Sequence, residues 1–288
     1  MTTQPKIAPL TSRALIALGG EDWRSFLQGL ITQDVETLAR GEVRFGALLT
    51  PQGRLLYDLF VIGRDGGAWL DVERAQRDAL ILRLTMYRLR AKVTIAADDA
   101  PVFAAWDADP GREWLADPRL PALGWRGYDV AVTADEGEID YDAHRLALGV
   151  PGPADWGVEK TYPIEANFDL LHGIDFKKGC FVGQETTSRM KRRGQIKNRM
   201  LPLAFDGDPP PAGAELLLEL GELCGVHLRG IGHAGRQAAH AAAEPEHLAE
   251  LAEHAALLLR HLLHHVRHLA VHLEQLVDRL GRGARAGG

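Results

Sequence analysis

The residue alphabet of this chain changes at one point. All 19 aromatic residues fall at or before Phe205, and from Asp206 to Gly288 there is no Lys, Asn, Ser, Thr or Met either. Average usage would place roughly five aromatics in a stretch of that length. Large rings and β-branched side chains build strand-rich cores, and this segment has almost none of either. It offers helix instead: Leu248, Leu251, Ala255, Leu258, Leu262, Val266, Leu269, Leu273, Leu276 and Leu280 step by three or four, the seam of a long amphipathic, coiled-coil-like helix. The chain therefore divides into a core over 1–205, a linker over 206–225 that opens on DGDPPPAG, and a helical His/Leu/Ala-rich tail over 226–288.

The remaining composition bounds the class. With 46% hydrophobic and 25% charged residues the chain is a soluble globular protein, and disorder is excluded for the whole. Its net charge of −6 sets up no global basic field, so any contact with RNA must come from a local patch. Two cysteines, Cys180 and Cys224, cannot make a disulfide framework and fit a reducing compartment. The opening residues MTTQPKIAPLTSR lack the apolar stretch of a secretory signal, and no run reaches membrane-spanning length. These points predict a cytoplasmic protein without a membrane partner.

Within the core, Arg13–Leu18 predicts a strand and Glu21–Leu30 a helix with Trp23, Phe26, Leu27 and Leu30 on one face. Arg44–Leu49, Leu55–Ile62 and Ala68–Val72 predict a meander, because Pro51-Gln52-Gly53 and Asp65-Gly66-Gly67 are turn chemistry. Glu73–Arg90 reads as an amphipathic helix on Leu80, Leu84 and Tyr87, followed by a strand over Lys92–Ala96. Ala100–Leu123 reads as a loop-heavy connection, Tyr128–Thr133 as a strand and Ile139–Leu148 as a helix. The class is α+β, with helices layered on one sheet face.

The densest chemistry lies in Lys177-Lys178-Gly179-Cys180-Phe181-Val182-Gly183-Gln184-Glu185. Flanking lysines favour the Cys180 thiolate, the glycines allow close approach of a ligand or another chain segment, and Gln184 and Glu185 can bond a polar heterocycle. A tight turn around an inert thiol is the competing reading. Upstream, Glu165 and Asn167 share a side in an extended segment, where they suit either ligand binding or turn and helix-start polarity. Arg189, Lys191, Arg192, Arg193, Lys197 and Arg199 form a basic run, either a solvated face or a site for phosphate, a polyglutamate tail or RNA backbone. No aromatic is interleaved to stack bases. His261/His265, His264/His268 and His268/His272 have chelating spacing, but with neither a cysteine nor a second shell among them they predict adventitious binding, not a physiological metal. There is no G-x-S-x-G nucleophile turn and no phosphate-cradling glycine loop, and one core cysteine cannot hold an iron–sulfur cluster by itself.

The segment KKGCFVGQE resembles the signature K-G-C-F/Y-x-G-Q-E of the YgfZ-type folate-binding proteins, relatives of the glycine-cleavage T-protein aminomethyltransferase, matched at Lys178, Gly179, Cys180, Phe181, Gly183, Gln184 and Glu185. PIEANFDLLHGIDF, SRMKRRGQIKNR, FLQGLITQDV and LLTPQGRLLYDLFV are also similar to that family, in order, over roughly residues 10–205. The resemblance implies a GcvT-like core of two α/β units around a central folate pocket, followed by a C-terminal β-barrel. It implies tetrahydrofolate as cofactor and a role in assembling or maintaining iron–sulfur proteins, with influence on tRNA modification. It makes Cys180 and Lys178 the functional pair, Gln184 and Glu185 their motif partners, and Glu165 and Asn167 folate-facing. Its partners would be folate and iron–sulfur proteins or their assembly machinery.

Two departures stand out. Aminomethyltransferases carry an acidic pair where this chain has Tyr57-Asp58, which weakens a folate-dependent one-carbon transferase reading. The barrel is expected over about 206–288, yet only Leu216–Gly232 reads as a trace of its opening, and the Ala/Arg/Gly/His/Leu vocabulary beyond suits an out-of-frame GC-rich gene. A genuine helical partner-binding tail, able to self-associate along its leucine seam, is the rival. An RNA-contacting or helical interaction protein is the third functional reading.

Overall fold

A strand that is apolar at nearly every position must be covered on both faces, and LLYDLFVIG is such a strand. The computed structural model describes residues 4–194, 196 and 198–202, together with the backbone of two short strands at 215–217 and 227–229. In chain order its elements are β1 (Lys6–Pro9), β2 (Arg13–Gly19), α1 (Trp23–Gln28), β3 (Val43–Leu49), β4 (Leu55–Arg64), β5 (Gly67–Glu73), α2 (Arg77–Arg88), β6 (Thr94–Asp98), β7 (Val102–Trp106), β8 (Leu115–Ala116), β9 (Trp125–Tyr128), α3 (Glu138–Ala147), α4 (Pro153–Trp156), α5 (Gln184–Arg193), β10 (Glu215–Leu217) and β11 (His227–Arg229).

Two antiparallel sheets carry the core, one five-stranded in the order β3-β4-β5-β2-β6 and one four-stranded in the order β1-β7-β9-β8. On one face of the larger sheet, Ile16, Leu59, Val61 and Leu70 pack against Trp23 and Leu27 of α1 and Leu80 and Leu84 of α2. Its other face gives Leu15, Phe45, Phe60 and Ile62 to a second core shared with Ala104 and Trp106 of β7 and Tyr141 of α3. Phe45 lies opposite Phe60 in the β3–β4 register, and Phe60 opposite Asp71 in β4–β5, so these three side chains share the face that meets the smaller sheet.

The expected meander β3-β4-β5 and its two turns form, because they depend on local turn chemistry and apolar runs. Four readings are corrected. The first helix is shorter than Glu21–Leu30, because the Gln28 carbonyl turns to a distant ammonium instead of extending the helical ladder. Glu73 stays in strand pairing opposite Arg13, so the second helix starts only after a 3-10 turn over Arg74–Gln76. The stretch read as connection contains β7, a strand of the small sheet paired with the equally unforeseen β1. The strand placed at Tyr128–Thr133 ends at Tyr128, where Asp129 takes a left-handed φ of 58° that an extended strand cannot continue.

Glu215–Leu217 and His227–Arg229 pair antiparallel, within the stretch read as the opening of a barrel. His227–Arg229 is thus strand where a helical tail was expected; the rest of that tail, its histidine pairs and Cys224 lie outside the described residues. No helix among the described residues is long and apolar enough to cross a membrane.

Candidate functional site

The cysteine loop is held in place from both ends. Asp175 donates its N–H to the Thr32 carbonyl at 3.0 Å, Thr32 Oγ1 donates to the Gly173 carbonyl at 2.6 Å, and Val182 N–H donates to the Gly29 carbonyl at 3.2 Å. Between these bonds, Lys178 reaches into the bend after α1, where its ammonium donates to the carbonyls of Gln28 (2.8 Å), Ile31 (2.7 Å) and Gln33 (2.8 Å). All three N–H donors of the lysine are used. The Asp175 carboxylate turns the loop by accepting the N–H groups of Lys177 at 2.7 Å and Lys178 at 3.2 Å. Cys180 stands exposed on this anchored loop.

Burial pushes the Lys178 ammonium down to about 8, against the opposing pull of Asp34, Asp175 and Glu36. Asp34 shapes the same bend. Burial raises its carboxyl, but hydrogen bonds from Thr37 and Gln28 and the pairing with Arg44 outweigh that and hold it at about 2.

The two motif glycines differ. Gly179 has open space around its Cα. Gly183 has a φ of 79°, and a Cβ there would strike the Thr50 carbonyl and come within 3.0 Å of Gly53 Cα; Gly53, with a φ of 87°, would meet the Gly183 carbonyl at 2.9 Å. The turn between β3 and β4 and the start of α5 therefore approach backbone to backbone. Gly183→Ala is expected to destabilise the protein by roughly 2–4 kcal/mol through left-handed strain and overpacking. Chemical denaturation of the variant checks this, and a loss under about 0.5 kcal/mol would show that the contact is loose.

The other sequence-predicted residues also have partners within the chain. Gln184 accepts the Phe181 N–H at 3.3 Å and closes the start of α5. Glu165 accepts the Tyr162 N–H at 3.0 Å and Asn198 Nδ2 at 3.1 Å. Asn167, buried and at a φ of 63°, donates to the Met200 carbonyl at 2.8 Å and accepts from Arg199 at 3.0 Å, while Arg199 forks onto Asp169 at 2.8 and 2.9 Å. Glu165, Asn167 and Asp169 thus clamp the segment 198–200. Glu185 is exposed and lines a surface depression with Arg189, Arg192 and Arg193. Cys180, Lys178 and Gln184 are brought onto one loop, whereas Glu165 and Asn167 belong to a separate clamp. Glu165, Asn167, Lys178 and Gln184 thus each spend hydrogen bonds within their own chain, while Glu185 is exposed.

Sequence reasoning missed the buried charge ladder between the sheets. Arg13 bonds Asp58 at 3.2 Å and Asp71 at 2.7 Å; Asp71 takes Arg126 at 2.6 Å; Arg126 reaches Asp117 at 3.5 Å, and Asp117 is forked by Arg119 at 2.9 and 2.8 Å. Three carboxylates and three guanidiniums alternate, with the Phe60 ring 3.9 Å from Arg126, 4.9 Å from Arg119 and 5.5 Å from Arg13. The ladder thus lies between the sheets around the Phe60 ring. Burial raises the carboxyl of Asp71, yet Arg126 and Arg13 hold it below the usual range. Asp58, the acid that aminomethyl transfer would call on, is bridged by Arg13. Polar residues interrupting doubly covered strands were the signal that could have revealed the ladder.

Comparison with known proteins places this architecture. The iron–sulfur cluster assembly factor IBA57 homologue, mitochondrial, of Mycosarcoma maydis is 33% identical over 239 residues, 72% of this chain and 59% of the relative. That of Phaeosphaeria nodorum is 38% identical over 231 residues, 69% of this chain and 55% of the relative. The human factor IBA57, mitochondrial, is 30% identical over 273 residues, 78% of this chain and 75% of the relative. The chain thus spans under three-fifths of the length of these two fungal relatives. No protein-family model matches the chain. Glycine cleavage system aminomethyltransferase T from Bartonella henselae shares the fold with a TM-score of 0.52 at 15% identity, covering 66% of this chain and 64% of that one.

The expected cytoplasmic location is corrected by the mitochondrial relatives. Mitochondrial transit segments are amphipathic, not apolar, so the missing apolar stretch carried no information about that compartment. With relatives at this identity and coverage, and with a GcvT-like α+β fold, the chain belongs to the family of IBA57 iron–sulfur cluster assembly factors.

Proposed function

We propose that this protein acts in iron–sulfur cluster assembly by presenting Cys180 as a thiolate ligand to a cluster in transit. The observation that carries the reading is the exposed Cys180 on a loop pinned by Lys178 and by the closed start of α5. Thiolates are the preferred ligands of iron–sulfur clusters, and one thiolate fills one of about four protein positions. No group of three or more His, Cys, Asp or Glu that could hold a metal occurs among the described residues. In this reading the other ligands come from a partner, which makes the cluster cargo at this site. Lys178 acts in this reading as the residue that positions Cys180.

Cys180→Ser is expected to lower the recovered activity of a cluster-dependent enzyme at least about tenfold when the variant replaces the native chain in cells lacking it, with an unchanged thermal midpoint. Full recovery would make the thiol structural and end the reading.

Tetrahydrofolate, implied by the resemblance to YgfZ-type proteins, is given no step in this reading: Glu165, Asn167, Lys178 and Gln184 each spend hydrogen bonds within the chain, and of the side chains assigned to it Glu185 alone is exposed. Calorimetric titration with tetrahydrofolate is expected to show no saturable binding that depends on Glu165, Asn167 or Gln184. Binding weakened by Asn167→Ala with the fold intact would restore that assignment.

A further inference from the structure

The buried and half-buried arginines Arg13, Arg44, Arg126, Arg145 and Arg199 each find a carboxylate. The exposed cations at the end of α5 do not. Arg189, Lys191, Arg192 and Arg193 are exposed, and none of them is ion-paired among the described residues. Positions 189, 192 and 193 share one helix face by their spacing. Lys191 lies 4.9 Å from the ring centre of Phe176, which is 39% exposed and sits four residues before Cys180.

We propose that this face docks an acidic protein surface, with Phe176 as apolar anchor and Arg189, Arg192 and Arg193 as its cationic margin. The proposal deepens the reading of Cys180 above and rests on it: the docked partner is the protein that supplies the remaining cluster ligands. An exposed ring within a charged margin is the anatomy of a protein interface, and opposite charge speeds and orients docking. RNA is less well served. Binding of successive bases needs a row of open rings, whereas Phe176 is the only aromatic among the described large exposed apolar residues and Lys191 already engages it.

Fluorescence anisotropy on the full chain tests this with two labelled probes of matched charge, an acidic peptide of repeating Asp-Glu-Leu and a single-stranded RNA. The peptide is expected to bind saturably at low salt and to lose roughly tenfold in affinity on raising salt several-fold. R189Q/R192Q/R193Q should lose at least about tenfold, and Phe176→Ser about threefold, whereas RNA should bind no tighter than the peptide. Equal peptide binding by the native chain and the triple variant, or tighter RNA binding through the same arginines, would overturn the proposal. If the triple variant fails to fold, R189Q/R193Q serves the same comparison. Cellular recovery separates the two readings: full recovery by the arginine variant with failure of Cys180→Ser sinks docking alone, and full recovery by Cys180→Ser sinks the cluster reading.

Discussion

Asp71→Asn should destabilise this protein by about 3–5 kcal/mol, the usual loss when one member of a buried ionic network is neutralised. The carboxylate bonds Arg13, Arg126 and the Tyr128 hydroxyl, the last at 3.1 Å, while its own carbonyl accepts a second bond from Arg13 at 2.9 Å. An amide keeps the shape and loses the charge, leaving two buried guanidiniums to repel each other across it. For a core of this size the thermal midpoint should fall by roughly 6–20 °C. The ladder also sets the acid limb of stability. Burial raises the Asp71 and Asp117 carboxyls, but Arg126 and Arg13 at Asp71, and Arg119 at Asp117, bring both below the ordinary value of 3.8. A depressed carboxylate stabilises fully above its unfolded pKa and loses that contribution as pH falls through its folded one. Stability should therefore decline with acid from about pH 4 downward, and less steeply in Asp71→Asn. Unfolding free energies from urea within about 1 kcal/mol of each other at neutral pH would show that the ladder is solvated.

Lys178→Met should be the second large effect, about 2–4 kcal/mol, because the stem is kept while the carbonyls of Gln28, Ile31 and Gln33 lose their common donor. The loop would also be freed from α1, so alkylation of Cys180 should accelerate severalfold at fixed pH. Lys178→Arg should rescue only in part, since a planar fork cannot point three donors at carbonyls gathered around one atom. The pH signature has the same sense as that of Asp71 but lies in the alkaline range. The folded pKa of Lys178 lies at about 8, below the ordinary 10.5, so between those values the unfolded chain binds more protons and stability from this group rises with pH. Part of that gain is screened, because the side chain retains contact with water. In Lys178→Met this rise should vanish; its persistence would assign the slope to another group.

These two residues also show how far the linear chain can be read. Lys178 stood out from its motif, yet its partners lie between 145 and 150 residues away, and no spacing rule connects an ammonium to carbonyls at that distance. Gly183 could be recognised as a close-approach position, but that the approaching segment is the Gly53 turn follows only from the packing of α5 on the β3–β4 connection. Glu165 and Asn167 read as ligands or as local polarity, and their bonds to the 198–200 segment could not be seen in the linear chain. Arg13, Asp58 and Asp71 were visible as charges in otherwise apolar strands, though their meaning depended on Arg126 and Asp117 arriving from the other sheet.

The sequence by itself determined what local chemistry controls: the meander from its turn residues, the amphipathic α2 from its periodicity, the α+β class, and the reactive-looking cysteine motif with its basic neighbours. The tertiary structure alone decided which side chains meet. Strand β7, the shortened α1, the carbonyl nest of Lys178 and the charge ladder are contacts between segments far apart in the chain. The energy of such contacts comes from burial and partner geometry, which arise only when both segments fold against each other.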